Sequence, residues 1–537
     1  MPVMDLKKRL FFSLCSFVSA VLLYLAWPAL EFFPLIFIAF TPLLWINKEL
    51  GFERLRIGAF ALYTYAALAL FNIFTTWWVW NSTPAGAVFA MLVNAILMLI
   101  PWIAYRITTV KLKMIWWSHF SIVPYFIAFE YFHLNWDLSW PWLTLGNSAA
   151  MYPELVQWYE WTGVLGGSLW ILVSNVLFFL CYVFFTEKNT RFKKLLRLSI
   201  AFLCLPALIS VVRYMSYTEQ GVGKEVVVIQ PNVDPYTEKY PGSKKYIPFA
   251  EQYLRLENLT RGAIGENTNF VLWPETALAD HFEEERSSQN NTMQGLQSLA
   301  SQYPKAAFLV GAETYRFFDT PVNDGNMAYP IQEEGVFYIP YNTGAFVEKG
   351  EAPLFYHKSK LVPGVEVLPY PHLFGFLTES LGDLVVASVG RQSARKPFVS
   401  KDSVSVVPIV CYESIYGEFL GEYVNKGAGL FFIITNDAWW GNTPGHLQHF
   451  HYARLRAVEH RKCIARAANT GISGFIDQKG NIIAQSEYNT PCSMRKTVLY
   501  NNKPTLYSLM GDMIGLIAIV ASVIFGLFLF KPFNKYV

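Results

Sequence analysis

Long apolar segments occupy most of the first 213 residues of the chain, and one more lies near its end. Each is close to the roughly 20 residues that a helix needs to cross the hydrocarbon core of a bilayer. They lie at about 10–27, 31–46, 57–76, 87–105, 115–132, 163–185, 195–213 and 512–530. Between them, 214–511 alternates short apolar runs with turns and charges. The sequence therefore predicts a membrane domain of seven helices at 1–213, a globular domain at 214–511, and a last span with a short tail at 512–537.

Composition and charge agree with a chain that lies partly in lipid. Hydrophobic residues make up 53% of the chain and charged residues only 15%, unlike an ordinary soluble protein. A net charge of +3 with no basic patch argues against nucleic acid as a partner.

The basic residues near the spans predict an orientation. Lys and Arg follow the even-numbered spans and flank both chain ends, whereas 28–30, 77–86 and 133–162 contain none. Under the positive-inside rule, both ends face the cytoplasm and 214–511 lies on the opposite side. A signal peptide could also begin at Lys7–Arg9, but no small-x-small cleavage site follows, which favours an uncleaved first span.

Residues 225–490 show the pattern of an α/β layered domain. Continuous apolar runs such as "EVVVIQPNV", "NFVLWPETAL" and "LFFIITNDAWWG" alternate with helical stretches at 246–262, 287–302 and 446–462. The segments "TGAFVEKGEAPLFYHK" and "GFIDQKGNIIAQ" each turn at a Lys-Gly pair, which predicts two hairpins. Function in such folds sits at strand ends, and here those ends present Glu275, Cys411, Glu413, Asn436 and Asp437.

Three of the candidate residues could together make a nucleophile. Cys411 follows the apolar run "SVVPIV", and a thiol needs a base and a cation nearby to react at neutral pH. Glu275 ends "FVLWPE", where partial desolvation suits proton transfer, although a surface Glu that starts a helix fits equally well. Lys358 could stabilise a thiolate and an oxyanion, but Lys360 has the same side parity and either lysine could be solvated.

The order Glu, Lys, Cys and the motifs "LWPET", "YHKSKLVP" and "IVCYES" resemble the carbon–nitrogen hydrolase (nitrilase) superfamily over about 225–490. The flanking spans, "PWLTLGNSAAMYPELVQWYEWTGVLG" and 435–477 are similar to the apolipoprotein N-acyltransferase family. This resemblance implies a membrane α-helical bundle of about eight helices plus an extracytoplasmic α/β domain, a nitrilase-like αββα sandwich.

The resemblance also implies residue roles. Glu275 would be the general base, Lys358 the oxyanion stabiliser and Cys411 the acyl-accepting nucleophile. Supporting roles fall on five further positions: Glu366 and Glu413 to hold the lysine, Tyr412 for an oxyanion N–H, Trp439 at the substrate cleft, and Tyr240 where the family commonly has a tryptophan that contacts the acyl chain. The chain departs from the family at Gly364 and Val365, where many members have Phe-Gly before the glutamate.

The implied activity is transfer of an acyl chain from a phospholipid, through a Cys thioester, to the amine of a diacylglyceryl-cysteine lipoprotein, without a cofactor. The implied setting is the bacterial inner membrane, with a monomer whose catalytic domain faces the periplasm. Two rivals stay open: a membrane-anchored amidase of the same superfamily, and a multispan transporter or lipid-binding scaffold with an inert outer domain.

Several other features each have two interpretations. The apolar segment 368–390 is an arm that dips into the bilayer interface or a core helix. The histidines of "GHLQHFH" suggest a metal, but no carboxylate pair completes a site, so we expect none. The aromatic residues of 136–161 indicate an interfacial belt, and Glu130 and Glu160 are expected to be solvated at the interface rather than functional.

The cysteines leave one question open. Cys463 and Cys492 lie outside the predicted spans and could pair in an oxidising compartment, but spacing alone does not establish a bridge.

Overall fold

The computed structural model describes four stretches of the chain, residues 5–320, 326–331, 335–370 and 388–527. They form two compact units. The first, here called the membrane unit, combines Met1–Ser216 with Met510–Val537, and the second, the globular unit, is Tyr217–Leu509. The globular unit is therefore an insertion within the sequence of the membrane unit.

Six helices of the described stretches are long and apolar enough to cross a membrane. They are Leu6–Leu25, Phe33–Leu50, Ile57–Asn81, Pro84–Lys111, Tyr159–Thr186 and Phe192–Ser216. The two other predicted spans contain shorter helices, Ile122–His133 after a 3₁₀ turn, and Met513–Leu527, beyond which 528–530 lies outside the described residues. The chain is a multi-pass membrane protein, and the total of eight spans stays a prediction.

Local chemistry explains where these helices begin and which faces they expose. Thr83 caps Pro84–Lys111 by accepting a hydrogen bond from the Gly86 N–H, and Pro84 occupies the first turn, where its missing N–H costs nothing. Phe192–Ser216 keeps large apolar side chains such as Leu205 and Leu208 exposed. Such a helix face is stable in lipid rather than in water.

The segment that connects the fifth and sixth predicted spans corrects two expectations. The predicted interfacial belt is wrong for Trp142 and Tyr159, which are buried inside the membrane unit, whereas Trp161 of the same segment is exposed. Glu130 is also buried and accepts a hydrogen bond from the Leu145 N–H at 2.7 Å, while Glu160 is paired with Arg213 at 2.6 Å. Interface solvation was therefore the wrong prediction for both carboxylates, because Glu130 in helix Ile122–His133 and Glu160 in helix Tyr159–Thr186 are buried and each has a partner within the membrane unit.

The globular unit is built on two mixed sheets. In spatial order the first contains β13 (Cys492–Tyr500), β1 (Val222–Gln230), β2 (Thr268–Glu283), β3 (Ala307–Phe318), β5 (Phe337–Val347) and β4 (Tyr329–Pro330), with β6 (Leu354–His357) also on β5. The second contains β12 (Ile482–Gln485), β11 (Gly474–Ile476), β10 (Cys463–Ala468), β9 (Leu430–Thr435), β8 (Ser405–Val410) and β7 (Phe398–Val399). Strands β1–β3 run parallel to one another, as do β8–β10.

The sheets pack face to face with helices outside them, which confirms the predicted αββα sandwich. Helices Phe249–Ala263 and Asn291–Gln302 cover the first sheet, and Pro444–His460 covers the second, with Gly417–Val424 beside it. The central strand β2 is buried on both faces, as its continuous apolar run predicts. Its Trp273 belongs to the core cluster under the helices, and its Phe270 meets Phe432 of the second sheet with ring centroids 5.0 Å apart.

Both predicted hairpins are confirmed. Strands β5 and β6 pair antiparallel through a turn at Gly350, and β11 and β12 through a turn at Gly480. Each glycine has a positive φ, which a side chain would disfavour. Cys463 and Cys492 begin β10 and β13, and all six cysteines of the chain are free thiols.

A bulge in β2 positions Glu275. The register between β2 and β3 shifts between Trp273 and Leu278, and Thr276 within the bulge has a φ of 51°. Gly311 of β3 lies directly against the bulge, where a Cβ atom would come within 2.3 Å of the Pro274 carbonyl oxygen. Only a glycine therefore allows β3 to pass this close.

This close approach makes Gly311→Ala a test of the bulge. The added methyl group has to displace backbone atoms of the bulge, so we expect the substitution to lower the free energy of unfolding by about 1–3 kcal/mol. Gly262→Ala is the matched control, because a Cβ atom there meets nothing within 4 Å and helix propensity favours alanine. Thermal unfolding of both purified variants measures the difference, and equal stability would contradict the packing argument.

Candidate active site

Glu275 is a buried strand residue and not a surface residue at the start of a helix. One carboxylate oxygen accepts hydrogen bonds from Asn342 Nδ2 at 2.8 Å and Lys358 Nζ at 3.2 Å. The other accepts from the backbone N–H of Asn436 at 3.0 Å, just past the end of β9. Four segments that are distant in sequence therefore meet at one carboxylate.

Lys358 holds its charge inside the protein. Its side chain is only 1% exposed, and its Nζ lies 3.2 Å from Glu275 and 2.8 Å from Glu366. Burial alone would lower the pKa of this ammonium, but the two carboxylates outweigh burial and hold it above its ordinary value. Lys360, which the sequence could not distinguish from it, instead places its ammonium 4.9 Å from the centre of the Tyr416 ring.

Glu366 and Glu413 both support the lysine segment, but through different atoms. Glu366 accepts from the ammonium with one oxygen and from the Val362 N–H at 2.8 Å with the other. Glu413 accepts from the Ser359 N–H at 2.6 Å and the Tyr356 hydroxyl at 2.6 Å. Burial raises the pKa of Glu413. Glu413 therefore fixes the backbone that carries Lys358, whereas Glu366 binds the ammonium itself.

Cys411 lies at the sharp turn that follows β8. It begins a 3₁₀ turn with a φ of 50°, a conformation that non-glycine residues rarely adopt, and only 8% of it is exposed. Burial raises the pKa of the thiol, the charges of Glu275 and Asp437 raise it further, and Lys358 opposes them. The resting group is thus a thiol, and it needs a base to become a nucleophile.

A buried charge network behind Cys411 was missed by sequence reasoning. His449 Nε2 lies 3.2 Å from the Cys411 carbonyl oxygen, and its Nδ1 lies 2.9 Å from Asp437. Asp437 also accepts from Arg466 at 2.6 Å. Burial alone would raise the pKa of Asp437, but Arg466 and His449 hold it below its ordinary value. The strand-end position of Asp437 was the available signal, while its partners are 12 and 29 residues away in sequence.

The histidines of "GHLQHFH" have protein partners in the structure. His449 faces Asp437, whereas His446 packs against Tyr488 with the two rings tilted and their centroids 4.4 Å apart. Within the described ranges, no group of three or more His, Cys, Asp or Glu side chains is arranged to hold a metal ion.

Tyr240 and Trp439, which the family resemblance also singled out, contact other residues than the Glu275 carboxylate in the described structure. The Tyr240 hydroxyl donates to Glu313 at 2.6 Å, and the buried Lys239 beside it bonds Thr276 in the β2 bulge. Burial lowers the pKa of Lys239 to about 8. The backbone carbonyl of Trp439 accepts from the Tyr236 hydroxyl at 3.0 Å.

Of the two remaining predicted features, Tyr412 lies within the described residues and most of 368–390 does not. Tyr412 is buried, and its ring lies 5.4 Å from that of Tyr416. The apolar segment 368–390 falls largely outside the described residues, which omit 371–387, so its role as an arm stays a prediction.

Comparisons with known proteins agree over most of the chain. Residues 19–177 match the model of the apolipoprotein N-acyltransferase N-terminal domain, and 228–493 match the carbon–nitrogen hydrolase model. The apolipoprotein N-acyltransferase of Chlorobaculum tepidum is 28% identical, over 96% of this chain and 97% of its own length. That of Geobacter metallireducens is 26% identical, over 93% and 91%, respectively.

The buried thiol leads to a pH-dependent prediction for Glu275→Gln. An amide of the same size cannot take the thiol proton, so alkylation of Cys411 by iodoacetamide near neutral pH should slow by about 100-fold or more. Burial, the largest cause of the raised thiol pKa, is unchanged in this variant, so the remaining rate should rise about tenfold per pH unit through roughly pH 9.

Peptide mass spectrometry of the alkylated protein measures this rate. Glu351→Gln, an exposed carboxylate in the β5–β6 hairpin, is the control and should alkylate like the unmodified protein. If Cys411 of Glu275→Gln is alkylated as fast as in the unmodified protein, Glu275 is not the base.

Proposed function

We propose that this chain, which belongs to the apolipoprotein N-acyltransferase family, N-acylates lipoproteins through a thioester on Cys411, with a phospholipid as acyl donor. The observation that carries this mechanism is the buried ion pair of Glu275 and Lys358, whose charges act on the Cys411 thiol. It supplies a base and a cation to a group that would otherwise stay protonated.

In the first half-reaction, Glu275 takes the Cys411 proton and the sulfur attacks an ester carbonyl of the phospholipid. Lys358 and the backbone N–H of Tyr412 stabilise the negative charge on the tetrahedral oxygen. When the carbon–oxygen bond breaks, Glu275 returns the proton to the leaving glycerol oxygen. The products are a lysophospholipid and an acyl thioester on Cys411.

In the second half-reaction, the α-amine of a diacylglyceryl-cysteine attacks the thioester carbonyl. Glu275 accepts a proton from the attacking nitrogen, and Lys358 again stabilises the oxyanion. Breakage of the carbon–sulfur bond leaves an amide on the lipoprotein and restores the Cys411 thiol with that proton. No step calls for a cofactor, because the chain supplies the base, the cation and the nucleophile.

Tyr240 and Trp439 receive roles in binding the lipid substrates. Tyr240 lies in the segment after β1 and Trp439 in the 3₁₀ turn after β9, and both residues are partly exposed. Such rings suit contact with an acyl chain or with the lipid-modified cysteine. We assign Tyr240 to the donor chain and Trp439 to the substrate cleft.

The setting follows from the substrates, both of which are lipids. The sequence predicts membrane spans before and after 214–511, so we expect the catalytic domain to meet its substrates at a bilayer surface. The basic connections favour a globular domain on the side opposite the cytoplasm. Because the similar acyltransferases are bacterial, we propose the inner membrane, with this domain in the periplasm. We take the working unit to be a monomer, since one chain carries the base, the cation and the nucleophile.

The two rivals explain less of the molecule. A plain amidase has no use for a domain that matches the N-terminal region of lipoprotein acyltransferases. An inert outer domain would not need a buried ammonium between two carboxylates, which is costly to fold.

The acyl-enzyme provides a direct test. Purified protein incubated with a phospholipid of known chain composition should gain the mass of one acyl chain on Cys411, and hydroxylamine should remove it. Cys411→Ala should gain none, while Cys492→Ala, which changes a thiol outside the site, should be acylated like the unmodified protein. Intact-mass spectrometry measures the adduct, and its absence from active protein would reject the thioester.

A further inference from the structure

Asn342 of β5 contacts both carboxylates of the site, and sequence reasoning gave it no role. Its Nδ2 donates to Glu275 at 2.8 Å and to Glu366 at 3.0 Å. The two receiving oxygens are the same two that accept from the Lys358 ammonium. One neutral amide and one ammonium therefore bridge the same pair of carboxylates.

The backbone holds Asn342 in this place. Its carbonyl oxygen accepts from the Lys358 N–H at 2.9 Å, and residue 342 is only 9% exposed. The amide orientation is also determined, because the opposite one would turn Oδ1 toward two carboxylate oxygens. Asn342 is thus a fixed donor and not a mobile side chain.

Charge explains why a neutral donor matters here. Glu275 and Glu366 share the Lys358 ammonium, while the nearby Lys239 ammonium bonds Thr276 and faces the charges of both Glu313 and Glu275. Two like charges in a buried site favour protonation of one carboxylate. A protonated Glu275 cannot accept the thiol proton. A second donor that adds no charge stabilises the ionised form of both carboxylates without competing for the proton.

We propose that Asn342 is a positioning residue for the acyl transfer, one that holds the Glu275 carboxylate in place as a proton acceptor by clamping it to Glu366 across the Lys358 ammonium. The inference rests on the proposed function for its meaning in catalysis. The interaction itself is tested by the reactivity of Cys411 toward a small reagent, which needs no lipid substrate.

Asn342→Asp is the sharpest variant, because it keeps the size of the side chain and replaces a donor with a third carboxylate. The rate of Cys411 alkylation by iodoacetamide falls as the pH is lowered, and this fall is here called the acidic limb of the pH–rate profile. In Asn342→Asp the acidic limb should move to higher pH by about one unit or more, which is a tenfold change in the proton-binding constant. Asn342→Ala, which removes the donor without adding charge, should move it in the same direction by less. Asn258→Asp makes the same chemical change on an exposed helix position and should leave the profile unchanged.

A purely structural role for Asn342 would lower the amount of folded protein without moving the limb. The proposal is therefore overturned if the limb of Asn342→Asp and Asn342→Ala coincides with that of the unmodified protein, or if neither variant folds. Parallel acylation assays with phospholipid vesicles separate the two claims. If unmodified Cys411 is not acylated but the limb shifts, the proposed function fails and the positioning role stands.

Discussion

A single buried ammonium organises the catalytic centre. Lys358 lies between Glu275 and Glu366 with almost no exposure to water, and a buried ion pair is stable only if its remaining hydrogen-bonding atoms are also satisfied. The protein satisfies them with Asn342 and with the backbone N–H groups of Val362 and Asn436. Removal of any of these partners would leave a buried charge undercompensated, which is why the surrounding segments hold fixed positions.

The αββα sandwich brings these partners together at the ends of its strands. Glu275 projects from a bulge in β2, Lys358 follows β6 and Cys411 follows β8. Thr276 and Cys411 have positive φ angles, which cost energy and persist only where the surrounding structure enforces them. The Asp437–His449–Arg466 network behind Cys411 is one such restraint, since it reaches the carbonyl of the nucleophile itself.

The sequence predicts the scaffold well because its strands are continuous apolar runs and its spans have the length of a bilayer. Strand ends pointed to Glu275, Cys411 and Asp437. The choice between Lys358 and Lys360 depended on which loop atoms approach which carboxylate, and alternation along a strand could not settle it. Asn342 resembles any polar residue within a strand, and the role of His449 depends on partners that only the tertiary fold brings near. Glu130 and Glu160 were wrongly predicted for the same reason, since their partners, the Leu145 N–H and Arg213, are brought near only by the tertiary fold.

The thioester mechanism is tested most directly by following the acyl group after it has reached Cys411. Acyl-enzyme freed from phospholipid is mixed with a diacylglyceryl-cysteine peptide, and the products are quantified by mass spectrometry over time. If the thioester is an intermediate of N-acylation, the acyl chain appears as an amide on the peptide, at a rate that rises with peptide concentration. Release of the chain as free fatty acid at a rate independent of the peptide would contradict it and would identify water as the acceptor.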